Sequence, residues 1–249
     1  GRAALARLVP PVTRNVAGAE NFREVARLLD EGRDAGVRRR VLVIGGGVEG
    51  AGISELIDRP WVDAVETDVF VGPRTQVVCD AHDLPFRDGT FDAVVSQAML
   101  NNVLDPARVV SEIHRVLRPG GIVYSETAFL QPVYMGRYDN LRLTQVGHRL
   151  LFRWFDEVRS GVQCGPGSAL AWTFVSCAVA VAGRSRVLRL AARAGAPFLV
   201  FWLPRLDPWL VQSPGATDAA SGTFLIGRRR QSPLPDRDIL GSYRGVVDT

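Results

Sequence analysis

From residue 41 onwards, short apolar runs alternate with segments in which apolar residues recur at helical spacing. Runs of this length that end in glycine or polar residues predict buried strands. Five of them follow in order, at residues 41–44, 62–67, 75–79, 91–96 and 122–126. Strands that alternate with helices predict a parallel sheet covered on both faces. Ligands of such sheets bind beyond the carboxyl ends of the strands, so the chemistry is expected there.

Two segments are predicted to be helices with defined ends. Residues 19–29 carry apolar positions at helical spacing, including Phe22, and this helix precedes the first strand. Asp105 suits the capping position of a second helix, and Pro106 suits its first turn. The Arg-Pro-Gly-Gly sequence at 118–121 is expected to end that helix.

The alternation breaks after the fifth predicted strand. Residues 129–150 are polar and aromatic, and a sixth strand is predicted at 155–164 and a last one at 222–227. Residues 165–212 are apolar and rich in Trp, Gly and Pro, which is too long and apolar for an ordinary crossover. We therefore predict one domain with four parts: an N-terminal helical cap at 1–40, a core at 41–164, a helical insertion at 165–220, and the last strand and tail at 221–249.

The composition fits a folded protein and narrows the range of partners. Hydrophobic residues make up 47% and charged residues 22% of the 249 residues, so a sizeable core is expected. Much of the net charge of +4 comes from short arginine clusters. These are either solvated ends of strands and helices or a surface for phosphates or anionic lipid headgroups. Aromatic residues are not interleaved with them, so no nucleic-acid partner is expected.

Cysteine and histidine usage argues against a disulfide framework and a metal site. The three cysteines form no Cys-x-x-Cys pair, and the chain has three histidines. This usage favours a reducing, cytoplasmic location. The longest apolar run, at 169–183, is shorter than the ~20 residues that span a bilayer, so no transmembrane segment is expected.

A glycine-rich turn follows the first predicted strand. Gly45, Gly47 and Gly50 satisfy the Gly-x-Gly-x-x-Gly pattern, in which the backbone turns tightly and a ligand can approach it. Glu66 and Asp68 end the second strand, where a carboxylate can accept hydrogen bonds from both hydroxyls of a ribose. NAD and S-adenosylmethionine both carry such a ribose, so these features leave both cofactors open. A structural turn with solvated acids is the simpler alternative.

The motifs that follow favour one of these cofactors. Asp-Ala-His-Asp-Leu-Pro-Phe at 80–86, Phe-Asp-Ala-Val-Val-Ser-Gln-Ala at 91–98, Leu-Asp-Pro at 104–106 and Arg-Val-Leu-Arg-Pro-Gly-Gly at 115–121 occur in this order. Across residues 38–130 the series resembles the class I methyltransferases of the methyltransferase type 11 group. The resemblance implies an α/β, Rossmann-like, doubly wound fold with a mostly parallel seven-stranded sheet. The apolar helical insertion would precede the last strand, and S-adenosylmethionine would be the cofactor.

The resemblance also implies which residues hold the cofactor: Gly45, Gly46, Gly47, Glu49, Asp68, Val69, Asp80, Ala81, His82, Ser96, Gln97 and Ala98. The glycines would face its methionine part, and Asp68 would hold the ribose. Asp80 would accept from the adenine amino group, the Ala81 amide would reach the ring, and His82 would lie beside it. Residues 96–98 would line the sulfonium side.

Two departures from the family pattern are visible. Val43 stands where the family often has an acid that helps to hold the amino group of the cofactor, and Glu49 could compensate. Asn101-Asn102 stands where relatives often show Glu-His. These differences motivate an alternative function, that of a degenerate homologue that binds the cofactor without methyl transfer.

Candidates for the acceptor side follow the fifth strand: Gln131, Tyr134, Tyr138, Asp139, Arg142 and His148. The segment 138–144 resembles a Tyr-Asp-x-x-Arg-x-Thr element of bacterial methyltransferases linked to glycan or natural-product pathways. Tyr138, Arg142 and His148 are the predicted catalytic set, with Arg142 gripping a carboxylate or phosphate and His148 acting as base. In the alternative, Arg142 and Asp139 tie down the loop and His148 is a structural residue.

The predicted function is methyl transfer from S-adenosylmethionine, by default to oxygen, of a small-molecule, natural-product or lipid- or glycan-linked acceptor. A structural or non-methylating homologue and an NAD-dependent oxidoreductase are the alternatives. The insertion is interpreted as packing or a homodimer interface, as an acceptor lid, or as a site of peripheral membrane contact.

Overall fold

The computed structural model describes residues 9–246, and its strands form one sheet. The strands are β1 (Arg39–Ile44), β2 (Val62–Asp68), β3 (Val77–Val78), β4 (Phe91–Gln97), β5 (Leu117–Ala128), β6 (Phe155–Cys164) and β7 (Gly222–Arg229). Their order in the sheet is β3-β2-β1-β4-β5-β7-β6. Strand β7 runs antiparallel to both of its neighbours, and the other strands run parallel to one another. The predicted mostly parallel, seven-stranded sheet is confirmed.

Helices cover both faces of the sheet in the described part of the chain. They are α1 (Gly18–Asp30), α2 (Ser54–Ile57), α3 (Pro106–Val116), α4 (Gln145–Leu151), α5 (Pro166–Val181), α6 (Arg186–Val200), α7 (Asp207–Leu210), α8 (Gly215–Asp218) and α9 (Asp236–Leu240). The predicted helix at 19–29 corresponds to α1. The first eight residues of the predicted N-terminal cap and the last three residues of the tail lie outside the described residues.

The side chains of each strand point alternately to the two faces of the sheet, so the core consists of two layers. Val41 and Val43 of β1 face α1 and α2, whose Phe22 and Leu56 are fully buried. Leu42 faces the opposite side, where α3 packs its apolar stripe. Because successive strand residues point to opposite faces, a single apolar strand serves both layers.

The connection between β2 and β3 departs from the predicted alternation. It runs from 69 to 76 and contains no helix, although β2 and β3 are parallel. Parallel strands are usually joined by a dozen or more residues, so eight leave no room for a crossover helix. Strand β3 is correspondingly reduced to Val77–Val78, against the predicted 75–79.

Helix α3 begins as predicted and β5 begins earlier than predicted. The Asp105 side chain accepts a hydrogen bond from the Arg108 amide at 3.0 Å, and Pro106 occupies the first turn. Strand β5 already pairs at Leu117, opposite Phe91, and the register shifts before Ile122. The helix therefore ends before the Arg-Pro-Gly-Gly sequence, as predicted, and that sequence lies in the irregular start of β5.

The insertion contains two antiparallel helices, α5 and α6, which we call the helical hairpin. Its base is held by Asp207, which is fully buried. Asp207 accepts hydrogen bonds from the Gly167 amide at 2.8 Å, the Ser168 amide at 3.1 Å and the Ser168 hydroxyl at 2.6 Å. Helix α5 has no capping side chain of its own at Gly165, so Asp207 supplies the acceptor that its first amides need.

A stretch from the hairpin to its base meets the length and composition of a membrane span. Among the described residues, Arg186–Leu210 is the one such stretch, with 25 residues that are mostly exposed. The sequence prediction of no such segment considered the run at 169–183, which ends at the hairpin turn. Helix α6 itself accounts for 15 of these residues.

We expect Asp207→Asn to lower the free energy of unfolding by about 3 kcal/mol. The amide keeps the shape of the carboxylate but presents an NH₂ group to donors that are buried and have no solvent to turn to. Urea denaturation followed by circular dichroism measures the change. Asp34→Asn, at an exposed position, is the matched control and should change the value by less than about 0.5 kcal/mol. Equal effects of the two variants would contradict the assigned role of Asp207.

Candidate functional site

The glycine turn after β1 lies at the carboxyl edge of the sheet and packs closely on β2. Gly45 has a φ of +74°, a conformation that favours glycine. The Gly46 amide donates to the Thr67 carbonyl at 2.9 Å. The Gly47 amide donates to Asp68 Oδ2 at 3.2 Å, and a Cβ at residue 47 would lie 2.8 Å from that oxygen. The turn therefore leaves a cradle that any side chain at residue 47 would fill.

Two acids at the end of β2 have different surroundings. Glu66 is buried and accepts hydrogen bonds from Arg74, with Nη2 at 2.7 Å and Nε at 2.9 Å. Arg74 lies in the short β2–β3 loop and also reaches Glu49 at 3.5 Å. Asp68 accepts from two backbone amides, Gly47 and Phe70, one on each oxygen. Since each carboxylate oxygen has a second lone pair, Asp68 keeps acceptor capacity for a ligand.

The segment after β3 places an acid and a histidine together. Asp80 Oδ1 accepts from the backbone amide of His82 at 2.9 Å and lies 2.6 Å from His82 Nδ1. These bonds lower the pKa of Asp80. His82 Nε2 accepts from the Asp105 amide at 3.2 Å, so both ring nitrogens are engaged. Ala81 is buried, and Val69 on the neighbouring loop is exposed.

The backbone is strained where β4 ends, and several hydrogen-bond acceptors there are unpaired. Ala98 has a φ of +53°, which is uncommon for a residue with a side chain and is often found at functional sites. Within the described structure, four buried side-chain oxygens in this segment have no hydrogen-bond partner: Ser96 Oγ, Gln97 Oε1, Asn101 Oδ1 and Asn102 Oδ1. Buried polar atoms are rarely left unpaired, so this segment is suited to a ligand that donates hydrogen bonds.

Glu126 is a buried acid near the carboxyl end of β5. It is 1% exposed and accepts from Asn15 Nδ2 at 3.0 Å and from the Tyr124 hydroxyl. Its neighbour in the sheet is Gln97, whose amide lies over Gly50 and donates to the Ala51 carbonyl at 3.1 Å. Among residues 9–246 Glu126 forms no ion pair. Burial raises its pKa, which the bonds from Tyr124 and Asn15 oppose.

The acceptor-side candidates divide into an open group and a locked group. The Tyr134 hydroxyl lies 3.3 Å from the Ala98 carbonyl and accepts from Asn101 Nδ2 at 2.8 Å. Tyr138 is exposed, with the Arg137 guanidinium over its ring. The Arg142 guanidinium, by contrast, forms its hydrogen bonds within its own loop.

Arg142 donates to the carbonyls of Gln131 at 3.1 Å and Pro132 at 3.2 Å. It also pairs with both oxygens of Asp139, and this bond lowers the pKa of that carboxyl. The predicted grip on a ligand anion is therefore not supported by this geometry, which matches the alternative of a tied loop.

His148 is enclosed by the sheet and cannot meet a ligand in this structure. It is 2% exposed, with Nε2 2.9 Å from Ser125 Oγ and Nδ1 3.2 Å from Thr223 Oγ1. Burial lowers its pKa to about 3, so the imidazole is neutral near pH 7. A general base needs reach to the acceptor proton, and His148 lacks it. The geometry argues against its predicted catalytic role and favours the structural alternative.

Comparison with known proteins finds a family model that matches part of the chain. A family model described as a methyltransferase domain matches residues 58–125, which hold Asp68, Asp80 and residues 96–98. Over this segment the chain is similar to a methyltransferase domain. This confirms the family resemblance of the sequence motifs. The glycine turn lies outside the matched segment, so its place in the domain rests on the geometry described above.

Curated relatives of the methyltransferase domain match over short segments. The ubiquinone/menaquinone biosynthesis C-methyltransferase UbiE of Desulfotalea psychrophila is 54% identical over 44 residues, 18% of this chain and 18% of that protein. The mitochondrial arginine-hydroxylase NDUFAF5 of Mus musculus is 35% identical over 69 residues, 28% of this chain and 19% of that protein. The matched segments thus span about a fifth of the length of these relatives.

Solved structures confirm the fold over most of the chain. A Galdieria sulphuraria protein, provisionally assigned as a sarcosine dimethylglycine methyltransferase, aligns with a TM-score of 0.54 and 13% identity, over 85% of this chain and 86% of that one. A provisionally assigned methyltransferase in complex with the Haloferax volcanii Trm112 activator aligns with a TM-score of 0.51 and 17% identity, over 86% and 92%. Identity this low shows the fold alone.

The structure brings the predicted cofactor residues of the methyltransferase domain to one edge of the sheet, because parallel strands end there together. The side chain of Glu49 is 58% exposed and is directed at Arg74. Sequence reasoning missed Glu126, although an acid that ends the predicted strand 122–126 is a visible signal. It also missed Arg74, which the short β2–β3 loop places against Glu66.

The enclosure of His148 predicts a specific pH dependence of stability. Its folded pKa of about 3 lies below the ordinary ~6.5, so the unfolded chain takes up the proton first. Stability from this group is therefore complete above pH 6.5 and lost as the pH falls, by about 1.4 kcal/mol for each pH unit. We expect the difference in unfolding free energy between the wild type and His148→Gln to shrink by about 2 kcal/mol between pH 7.5 and 5.

Urea denaturation at a series of pH values measures this difference. Subtracting the variant removes the contributions of other titrating groups, which the two proteins share. Above pH 7.5 the difference should be constant, which serves as the internal control. A difference that stays constant down to pH 5 would show that the imidazole is accessible to protons in the folded state.

Proposed function

We propose that this protein transfers the methyl group of S-adenosylmethionine to an oxygen of a small-molecule or lipid-linked acceptor. The observation that carries the proposal is the meeting of a glycine cradle, a ribose-type carboxylate and unpaired buried acceptors at one sheet edge. When bound, the cofactor supplies an electrophilic methyl group on a sulfonium. The residues of the chain have to hold it, orient the acceptor and exclude water.

The residues present fit the ribose and adenine parts of the cofactor. Asp68 retains acceptor capacity on both oxygens, as binding a ribose diol requires. In the described structure, Asp80 Oδ2 has no protein donor, while Oδ1 is held by His82. We assign Oδ2 to the adenine amino group, the Ala81 amide to the ring, and His82 to the orientation of Asp80.

The methionine part requires an acid for its ammonium group, and two acids compete for that role. Glu49 is mostly exposed and already faces Arg74. Glu126 is buried, has no cation partner among the described residues, and adjoins Gln97 over the glycine turn. A buried carboxyl group without a cation is costly, and a ligand ammonium would relieve that cost. The family often has an acid at the position of Val43. We therefore propose that Glu126 takes the role of that acid.

The acceptor would enter beside Tyr134. Its hydroxyl borders Ala98, whose backbone turns at the end of β4, and its ring lies 5.8 Å from Trp172 of α5. This places a polar group next to the proposed sulfonium side and an aromatic wall from the helical hairpin behind it. Such a combination suits an acceptor with a hydroxyl on an apolar body. Tyr134 is proposed to orient that hydroxyl in place of the enclosed His148.

One observation favours a second candidate function, a homologue that does not transfer methyl groups. Arg74 covers Glu66 and faces Glu49 at the edge where the cofactor would bind. A relative matched in sequence is named for arginine hydroxylation and not for methylation. Formation of S-adenosylhomocysteine together with a methylated acceptor, detected by mass spectrometry, would exclude this alternative.

Calorimetric titration with two ligands separates the proposed roles of the acids. 5′-Methylthioadenosine keeps the adenosine of S-adenosylmethionine but lacks its ammonium and carboxylate. We expect Glu126→Gln to weaken S-adenosylmethionine binding about tenfold or more and to leave 5′-methylthioadenosine binding unchanged. Asp68→Asn should weaken the binding of both ligands, because both carry the ribose.

Glu49→Gln and Asp63→Asn are the matched acid-to-amide controls, and both should bind S-adenosylmethionine as the wild type does. Asp63 is exposed at the opposite end of β2. A loss confined to Glu49→Gln would transfer the ammonium role to Glu49. Binding of NADH with no binding of S-adenosylmethionine would overturn the proposed function.

A further inference from the structure

The outer helix of the helical hairpin is almost uncovered. Of the 15 residues of α6, only Ala196, Pro197 and Val200 are buried. Large apolar side chains project into solvent, with Val187 76% exposed and Leu190 70% exposed. Such uncovered apolar surface marks a binding face.

These apolar residues form a continuous stripe. Val187, Leu190, Ala194, Phe198 and Phe201 follow one another at intervals of three or four residues, which places them along one side of the helix. Two tryptophans continue the apolar surface towards the base of the hairpin and are 50% and 71% exposed, Trp202 and Trp209. Tryptophan is enriched where a protein meets the boundary between lipid and water.

The charge of the hairpin has one sign. Residues 158–206 contain no Asp or Glu. Arg186, Arg189 and Arg193 also recur at intervals of three and four residues, and Arg184 stands at the hairpin turn. In the described part of the chain none of these four arginines takes part in an ion pair. An arginine row that borders an apolar stripe is the pattern of a helix that lies in the surface of an anionic membrane.

The length of α6 argues against a helix that spans a membrane, and its charge argues against a second copy of this chain as the partner. Helix α6 is about 22 Å long, which is short of the ~30 Å hydrocarbon core of a bilayer. The chain then turns back to the buried Asp207 at the sheet, so the stretch is anchored at its far end. A second copy in a symmetric dimer would oppose one arginine row to another.

We propose that the helical hairpin docks the protein on the surface of an anionic phospholipid bilayer. The stripe of α6 enters the boundary between headgroups and acyl chains, and the arginines bind lipid phosphates. Trp172 of the hairpin borders Tyr134, so docking brings the mouth of the candidate site close to the lipid. Docking itself does not depend on the proposed methyl transfer, although it would explain a lipid-linked acceptor.

Flotation of the full chain with vesicles tests the proposal. We expect binding to vesicles of phosphatidylcholine with phosphatidylglycerol and little binding to phosphatidylcholine alone, with a loss at high salt. Replacing Arg186, Arg189 and Arg193 with Gln should weaken binding to the anionic vesicles roughly a hundredfold. The apolar triple variant Val187→Ser, Leu190→Ser, Phe198→Ser should weaken it as well while leaving the fold intact, because these side chains are exposed.

The matched control removes the same charge elsewhere. Arg40, Arg59 and Arg87 are exposed away from the hairpin, and their joint replacement with Gln should leave vesicle binding within a few fold of the wild type. An equal loss in both arginine triples would reduce the effect to net charge and overturn the proposal. So would a dimer in sedimentation velocity that the apolar triple variant dissociates, without vesicle binding. Resistance to extraction by alkaline carbonate would instead indicate a spanning helix and equally overturn it.

Discussion

The carboxyl group of Glu126 is the point at which three separate parts of the chain meet. It accepts from Asn15 ahead of α1, from Tyr124 on its own strand, and it adjoins Gln97 at the end of β4. Asn15 also accepts from the amides of residues 17 and 18, which begin α1. A buried acid has to be surrounded by donors, so its position fixes the N-terminal segment over the sheet and the side chain that covers the glycine turn.

The sheet was largely predictable because the physics of its strands is local. A buried parallel strand is an apolar run whatever its neighbours are, and the capping of α3 depends on Asp105 and Pro106 alone. The missing crossover between β2 and β3 depends on chain length, and the seven residues between the predicted strands, 68–74, could have indicated it. The early start of β5 at Leu117 could not be predicted in this way, because it depends on pairing with Phe91 across the sheet.

The sequence indicates where the candidate residues lie along the strands but not where their side chains point. Strand ends are readable from the sequence, and with them the places of Asp68 and Asp80. The direction of a side chain on a short helix is not, since His148 and Arg149 of α4 turn into the protein although both are polar. His148 satisfies hydroxyls of β5 and β7, and Arg149 satisfies carbonyls at residues 152 and 155. Hydrogen bonds to distant parts of the chain decide where such side chains point. The motif that suggested catalysis does not reveal these bonds.

The helical hairpin and the candidate cofactor site share their attachment to the N-terminal segment. Asp207 holds Ser168 at the start of α5, and the Ser168 hydroxyl accepts from the Arg14 amide at 3.1 Å. The next residue, Asn15, donates to Glu126. Ser168 at the base of the hairpin and Glu126 are thus hydrogen-bonded to two consecutive residues, Arg14 and Asn15. The hairpin, which we propose to bind lipid, and the proposed cofactor site are therefore both hydrogen-bonded to the segment that holds residues 14 and 15.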